Sequence, residues 1–208
     1  MTKVAVGVLG ATGAVGQRFV QLLADHPWFE VKELAASDRS AGKAYKDACT
    51  WRLGTPLPEA AAGRVVKTCD EKFESKILFS GLDSSVAGEV ETALANQGHA
   101  IVSNSRNHRM DPDVPLLIPE VNADHLDALA VQRKRTGGGY IVTNPNCSVV
   151  GLAMALAPLQ RSFGITEVAV ATLQALSGAG YPGVASMDIA DNVIPYIGGG
   201  EEEKIETE

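Results

Sequence analysis

The apolar positions of the chain arrive in short runs separated by polar, glycine-rich or helically spaced stretches. Val4 to Leu9 is a continuous apolar run that ends in glycine, the pattern of a strand buried on both faces. From Ala14 to Ala24 the spacing turns helical, with Val15, Phe19, Leu22 and Leu23 predicted on one face. Val31 to Ala36, Ile77 to Ser80, Ala100 to Ser103 and Tyr140 to Val142 are further strand candidates. Between them, Ser84-Ser85 is placed to cap a helix over about 86–96, and residues 123–132 read as helical. The stretch Asp38–Lys76, with Gly54, Pro56, Pro58 and Gly63, reads as loosely ordered, and Met110 to Pro115 as an ordered turn. Strands alternating with helices predict an α/β fold, a doubly wound parallel sheet.

After Tyr140-Ile141-Val142 the character changes. The turn Thr143-Asn144-Pro145-Asn146-Cys147-Ser148 leads into a small-residue apolar helix over 149–156. Residues 165–176 then alternate in part, which predicts a long strand of an antiparallel sheet with one covered face. Weak periodicity over 187–197 follows, and the acidic run Glu201 to Glu208 reads as a helix cut short. The expected division is a nucleotide-binding domain over 1–145 and an incomplete α+β catalytic and dimerisation domain over 146–208. A lone strand cannot build a sheet, so the chain is expected to be a truncated form of something longer.

Composition narrows the classes. The 208 residues are 45% hydrophobic and 21% charged, with a net charge of −7, as for a soluble globular protein. The short basic cluster Gln132-Arg133-Lys134-Arg135 carries no interleaved aromatics and reads as a solvated turn, so nucleic acid is not expected as a partner. No apolar run approaches the ~18 residues of a membrane span. Three cysteines, Cys49, Cys69 and Cys147, without CxxC spacing, fit a reducing cytoplasmic compartment better than disulfides or a metal site.

Two places carry chemistry. Gly10-Ala11-Thr12-Gly13-Ala14-Val15-Gly16 lies between a predicted strand and a predicted helix, the context of a dinucleotide loop. Gly10 allows the tight turn, Gly13 the approach of a pyrophosphate and Gly16 close packing of helix on strand; a purely structural turn is the plainer alternative. After the second strand, Ser37, Arg39, Ser40 and Lys43 stand against the single acid Asp38. That balance favours NADP over NAD, unless the loop is simply exposed and charged. Cys147 is the second place. A thiol at a helix N-terminus meets unpaired backbone N–H groups and the positive end of the macrodipole, which favour its thiolate. Cys49 and Cys69 are expected to be inert core residues.

These stretches together resemble aspartate-semialdehyde dehydrogenase, its archaeal and fungal branch in particular. The match is carried by Gly10–Gly16, Ala36–Gly42, Ser103–Leu116, Ile118–Asn122, Asn144–Cys147 and Gln174–Gly180. The resemblance implies NADPH-dependent reduction of aspartyl 4-phosphate to aspartate 4-semialdehyde with release of phosphate, a step toward lysine, threonine and methionine. It implies Cys147 as nucleophile and Asn146 as its neighbour on the carbonyl oxygen. Arg109 is implied on the substrate phosphate, with Asn104 and Ser105 as weaker candidates, and Gln174 as the residue that positions substrate. The cofactor would lie on Gly10, Thr12, Gly13, Ala14, Val15, Gly16, Ser37, Arg39 and Ser40, with Gly178 close to the nicotinamide. Blander readings exist: Arg109 as a surface ion pair, Gln174 as a strand-end polar residue, His108 as structural or exposed. The family works as homodimers or homotetramers, and assembly of this chain is not expected to follow that pattern.

The family's catalytic base is a histidine well beyond the cysteine. His26, His99, His108 and His125 all precede Cys147, so the chain is expected to show little or no turnover. The alternatives are N-acetyl-glutamyl-phosphate reductase, which shares the fold and the thiol chemistry, and a non-catalytic nucleotide-binding fragment.

Overall fold

β-Branched and aliphatic runs bounded by glycine form strands wherever both faces can be covered, and six do so in the computed structural model. It describes residues 2–175, 183–195 and 200–208. The strands are β1 (Val4–Leu9), β2 (Phe29–Ala35), β3 (Val66–Lys67), β4 (Ile77–Ser80), β5 (Ala100–Ser103) and β6 (Tyr140–Thr143). All pair in parallel, in the order β3-β2-β1-β4-β5-β6. This is the doubly wound dinucleotide-binding arrangement, in which ligands sit beyond the C-terminal strand ends where the order reverses, here between β1 and β4.

The helices are α1 (Ala14–Leu23), α2 (Tyr45–Ala48), α3 (Glu59–Ala62), α4 (Ser84–Asn96), α5 (Pro119–Asn122), α6 (Leu129–Arg135), α7 (Cys147–Phe163), α8 (Ser186–Ile189) and α9 (Glu201–Thr207). A 3-10 turn over Ala123–Ala128 precedes α6. The backbone divides into two compact units, Met1–Leu117 with Asp124–Asn144, and Ile118–Ala123 with Pro145–Glu208.

In the first unit alternate strand residues fill two apolar layers. Val6, Val8, Leu34, Val20 and Tyr45 pack on one side, joined by Phe19, Phe29 and Phe79. Leu9, Leu78, Leu94, Ile101 and Ile141 pack on the other. The edge strand β3 lies inside the stretch expected to be loose. Two residues pairing with Leu34 and Ala35 are too few to leave a periodic signal. What holds that edge is an ion pair: Lys67 Nζ donates to Glu33 Oε1 at 2.7 Å, and Ser75 N–H donates to Glu33 Oε2 at 2.8 Å.

The first helix presents a different face from the expected one. Gly16, Gln17, Val20 and Leu23 are buried, while Leu22 is 63% exposed and Val15 lies at the surface. The close approach of Gly16 to β1 sets the rotation: a Cβ there would lie 2.1 Å from the Gly10 carbonyl oxygen. The fourth helix is capped by Asp83, whose carboxylate accepts the Ser85 N–H, rather than by Ser84 or Ser85. The basic cluster is the last turn of α6, where cations suit the helix dipole. Arg135 pairs with Asp113 through two bonds, and Arg133 lies over the Tyr140 ring.

In the second unit α7 runs through Pro158 to Phe163, and of its residues only Val149 is buried. The strand expected over 165–176 does not form over its described residues, 165–175. A strand needs a neighbour for its N–H and C=O groups, and among the described residues of this unit there is none. The acidic run at the end is helical, as expected.

Candidate active site

The glycine turn after β1 is built by backbone approach. Gly10 holds φ +68°, and a Cβ there would meet the Gly81 carbonyl oxygen at 2.6 Å. The Gly13 N–H donates to the Gly10 carbonyl at 3.0 Å and closes the turn. Gly13 caps α1 without any side-chain bond, and no acid lies in the first helical turn. Gly13, Ala14 and Val15 are exposed. An uncapped helix start free of carboxylates is a ready anion site. Two side chains hold the loop from behind. The Tyr45 hydroxyl donates to the Ala11 carbonyl at 2.7 Å, and Gln17 Nε2 donates to the Thr12 carbonyl at 2.9 Å. Gln17 also bonds Thr50 O and takes the Arg52 N–H. Neither residue stood out in the sequence; a fully buried Gln one position after the third glycine is the signal that marks it.

Beyond β2, Ser37 and Arg39 are exposed, but Ser40 is 9% exposed and its N–H closes a turn on Ser37 O at 2.8 Å. Lys43 Nζ donates to the Arg39 carbonyl at 2.7 Å. Ser37, Asp38 and Arg39 are therefore the open groups of this loop, one acid among them.

Cys69 fits the inert thiol expected of it, although it is packed against the core rather than fully buried in it. It is half-buried beside Leu9, with the Gly10 N–H directed at its sulfur. Burial pushes its thiol up to about 11; the Gly10 bond opposes this, and the Asp70 and Asp38 charges add to it. Cys49 is buried, and burial raises it as well.

Arg109 lies in the loop after β5. Its Nη2 donates to the Asn104 carbonyl at 3.1 Å, and Asn144 Nδ2 reaches Asn104 Oδ1 at 3.1 Å. Ser105 is buried, its hydroxyl donating to Asn107 Oδ1 at 2.6 Å. His108 is structural: its Nδ1 pairs with Asp111 at 2.7 Å.

In the second unit, Cys147 is the first residue of α7 and is exposed. The turn before it is held by Asn146, whose Oδ1 accepts the Ser148 N–H at 2.8 Å. Its Nδ2 donates to Glu201 Oε1 at 2.9 Å, and its backbone N–H to Glu208 Oε2 at 2.6 Å. Gln174 joins the same cluster, its Nε2 within 3.2 Å of both Ser148 Oγ and Glu201 Oε1. Glu201 was missed in the sequence, where it read only as the start of an acidic helix. Burial pushes its carboxyl up, but bonds from Asn146, Gln174 and Lys204 outweigh this and hold it below the usual carboxylate range. Gln174 and Glu201 also line a cavity of about 870 Å³ walled by Leu152, Leu156, Leu173 and Ile205. Gly178 lies outside the described residues.

Residues 5–129 match the NAD-binding domain model of semialdehyde dehydrogenase. The chain belongs to the semialdehyde dehydrogenase family. Residues 156–208 match the family's dimerisation domain, so Cys147 falls between the two matched stretches and Gln174 inside the second. The chain is 50% identical over 212 residues to aspartate-semialdehyde dehydrogenase of Trichophyton rubrum, which covers 100% of this chain and 58% of the relative. It is 52% identical to that of Methanothermobacter thermautotrophicus, over 98% of this chain and 59% of the relative. The fungal and archaeal resemblance seen in the motifs thus extends over the whole chain. A crystal structure of the Candida albicans enzyme with NADP superposes with a TM-score of 0.84 at 43% identity, covering 98% of this chain and 58% of that one. The chain spans a little under three fifths of the length of these relatives. Among the described residues no helix is long and apolar enough to cross a membrane.

Proposed function

We propose that the protein reduces L-aspartyl 4-phosphate to L-aspartate 4-semialdehyde with NADPH, and that Cys147 is the nucleophile. The observation that carries this is the exposed thiol opening α7, capped by Asn146 and neighboured by Gln174, in a chain of this family. The cofactor fits the first unit: the uncapped start of α1 would take the pyrophosphate through Gly13, Ala14 and Val15, with Gly10, Thr12 and Gly16 shaping the turn. Ser37 and Arg39, with Ser40 beside them, would face the adenosine ribose phosphate. When bound, NADPH supplies the hydride.

The chain's own groups do the rest. The Cys147 thiolate attacks the acyl-phosphate carbonyl, the carbon–oxygen bond to phosphate breaks, and a thioester forms as inorganic phosphate leaves. Arg109 would steady the departing phosphate through its guanidinium fork, and Gln174 would orient the substrate. Asn146 would present its amide N–H to the carbonyl oxygen, exchanging its bond to Glu201. After reduction the thiolate departs and the aldehyde is released. No histidine follows Cys147 in these 208 residues, so we propose that this chain alone turns over slowly or not at all. Partners are the acyl phosphate, phosphate and other copies of the protein, and cytoplasmic residence suits the chemistry.

Maleimide labelling followed by digestion tests the thiol: Cys147 should modify well before Cys49 and Cys69. Equal rates at neutral pH would overturn the nucleophile assignment. In the full-length enzyme, Cys147→Ser should lower NADPH oxidation with aspartyl phosphate by ~10³-fold or more. Preference for N-acetyl-glutamyl phosphate would instead overturn the substrate.

A further inference from the structure

Glu91 lies in the middle of α4 with no exposed surface. Its Oε1 accepts two hydroxyls, Ser80 Oγ at 2.6 Å and Ser103 Oγ at 2.8 Å. Those serines end β4 and β5 and are register partners. Glu91 Oε2 has no hydrogen-bond partner among the described residues and faces His108 Nε2 at 3.9 Å. A carboxyl wholly inside a fold is costly. Burial pushes this one up, against the two serine bonds and the His108 charge. Two serine hydroxyls alone do not call for so expensive a partner.

The bonds lead outward from Ser103 to a loop. Ser103 Oγ accepts the Ser105 N–H at 3.0 Å, and the Ser105 hydroxyl donates to Asn107 Oδ1 at 2.6 Å. Asn107 Nδ2 returns to the Ser84 carbonyl on α4 at 2.9 Å. Arg109 belongs to this loop, its N–H on Arg106 O at 3.2 Å and its Nη2 on Asn104 O at 3.1 Å. The Ser80 hydroxyl donates to the same Glu91 oxygen, but its side chain leads on to no loop residue among those described. A hydroxyl rotates to suit its acceptor. With Glu91 taking its proton, Ser103 is left with lone pairs facing the Ser105 amide.

We infer that Glu91 is a positioning residue that, through the Ser103 hydroxyl and the Ser105 amide, sets the loop carrying Arg109. The inference rests on the reading of Arg109 as the phosphate-binding residue.

Inorganic phosphate is the probe, titrated into the 208-residue chain by calorimetry or by the amide NMR signals of the loop, with thermal melts for each variant. Arg109→Gln should abolish saturable binding. Ser103→Ala and Glu91→Leu should weaken it about tenfold. Ser80→Ala, which removes a hydroxyl of equal burial on the same oxygen, should stay within about twofold, as should Glu91→Gln, which keeps an oxygen acceptor. A purely structural carboxyl would make the two serines equivalent, so equal losses at Ser80→Ala and Ser103→Ala overturn the inference. Undiminished binding in folded Ser103→Ala overturns it too. If Glu91→Leu does not fold, the serine pair still decides. Absence of saturable phosphate binding in the unsubstituted chain, or its survival in Arg109→Gln, overturns the Arg109 reading itself, and the inference with it.

Discussion

Two strand-to-helix turns carry the chemistry proposed for this chain, and they are built in opposite ways. The turn from β1 into α1 has no side-chain cap. It is held by backbone contact, with Gly16 against Gly10 and Gly10 against Gly81, and from behind by Tyr45 and Gln17. Its free N–H groups remain for a ligand. The turn into α7 is capped by its own Asn146, and what it presents is a side chain, the Cys147 thiol. The first kind of turn needs a rigid packed frame, because nothing but close approach defines it. The second is closed by a local cap, with Glu201 and Glu208 bonded to the same Asn146. Its surroundings agree: around the first turn Val6, Val8, Leu9 and Leu34 have no exposed surface, whereas the second unit exposes Phe163 by 83% and Leu173 by 91%. A backbone-made site depends on the core beneath it, while a side-chain-made site can be assembled on a sparse one.

The largest effect should come from filling the tight turn. Gly16→Val puts atoms where 2.1 Å is available to the first of them. We expect a loss of about 3 kcal/mol in denaturant unfolding and no measurable NADP binding. A folded, NADP-binding variant would show that the turn does not depend on close approach.

Acid should reach the frame next. Glu33 is almost buried, which pushes its carboxyl up. Bonds from Lys67 and from the Glu74 and Ser75 amides overcome this and bring it down to about 2. A carboxyl lowered in the folded state holds the unfolded chain's proton at bay, so its stabilisation is complete above about pH 4.5 and is lost as pH falls toward 2. After allowance for the partly open Lys67, about 2 kcal/mol is at stake. Melts of Glu33→Gln against the unsubstituted chain from pH 7 to 2 should converge at the acid end; parallel curves would remove Glu33 as the anchor.

A smaller effect is expected at the loop after β2. Arg39→Ala should cut the preference for NADP over NAD about tenfold, read from the two dissociation constants, with no change in unfolding. An unchanged ratio would leave Ser37 as the discriminating group. The local turn should respond least. Asn146→Ala removes one cap and should cost about 1 kcal/mol. A loss as large as that of Gly16→Val would erase the contrast between the two turns.

Much of the first unit was legible because its strands are continuous apolar runs: β1, β4 and β5 fall at the expected residues. The glycine spacing carried the turn, and the strand–turn–cysteine–helix order carried Cys147. What escaped detection was nonlocal. The face of α1 was misread because hydrophobic spacing pointed to Val15 and Leu22, while Gly16 needs to touch β1. Strand β3 was missed because two residues have no period and are held by Glu33 and Lys67. The strand expected over 165–176 shows the converse, since alternation alone cannot supply the neighbour that a strand requires.

The site divides the same way. Gly10, Gly13, Gly16, Asn146 and Cys147 are recognisable from their neighbours in sequence, because a turn and a helix start are local objects. Tyr45, Gln17, Glu91 and Glu201 are not. Each acts on residues dozens of positions away or across a strand end, and apart from the place of Gln17 just after the third glycine nothing in its own neighbourhood distinguishes it from an ordinary helical residue. Sequence alone determined the family, the parallel sheet and the thiol at a helix start, all consequences of short-range pattern. Only the tertiary structure decided which buried polar groups hold those features in place, because the cost of burying a hydroxyl, an amide or a carboxyl is met by partners that only folding brings together.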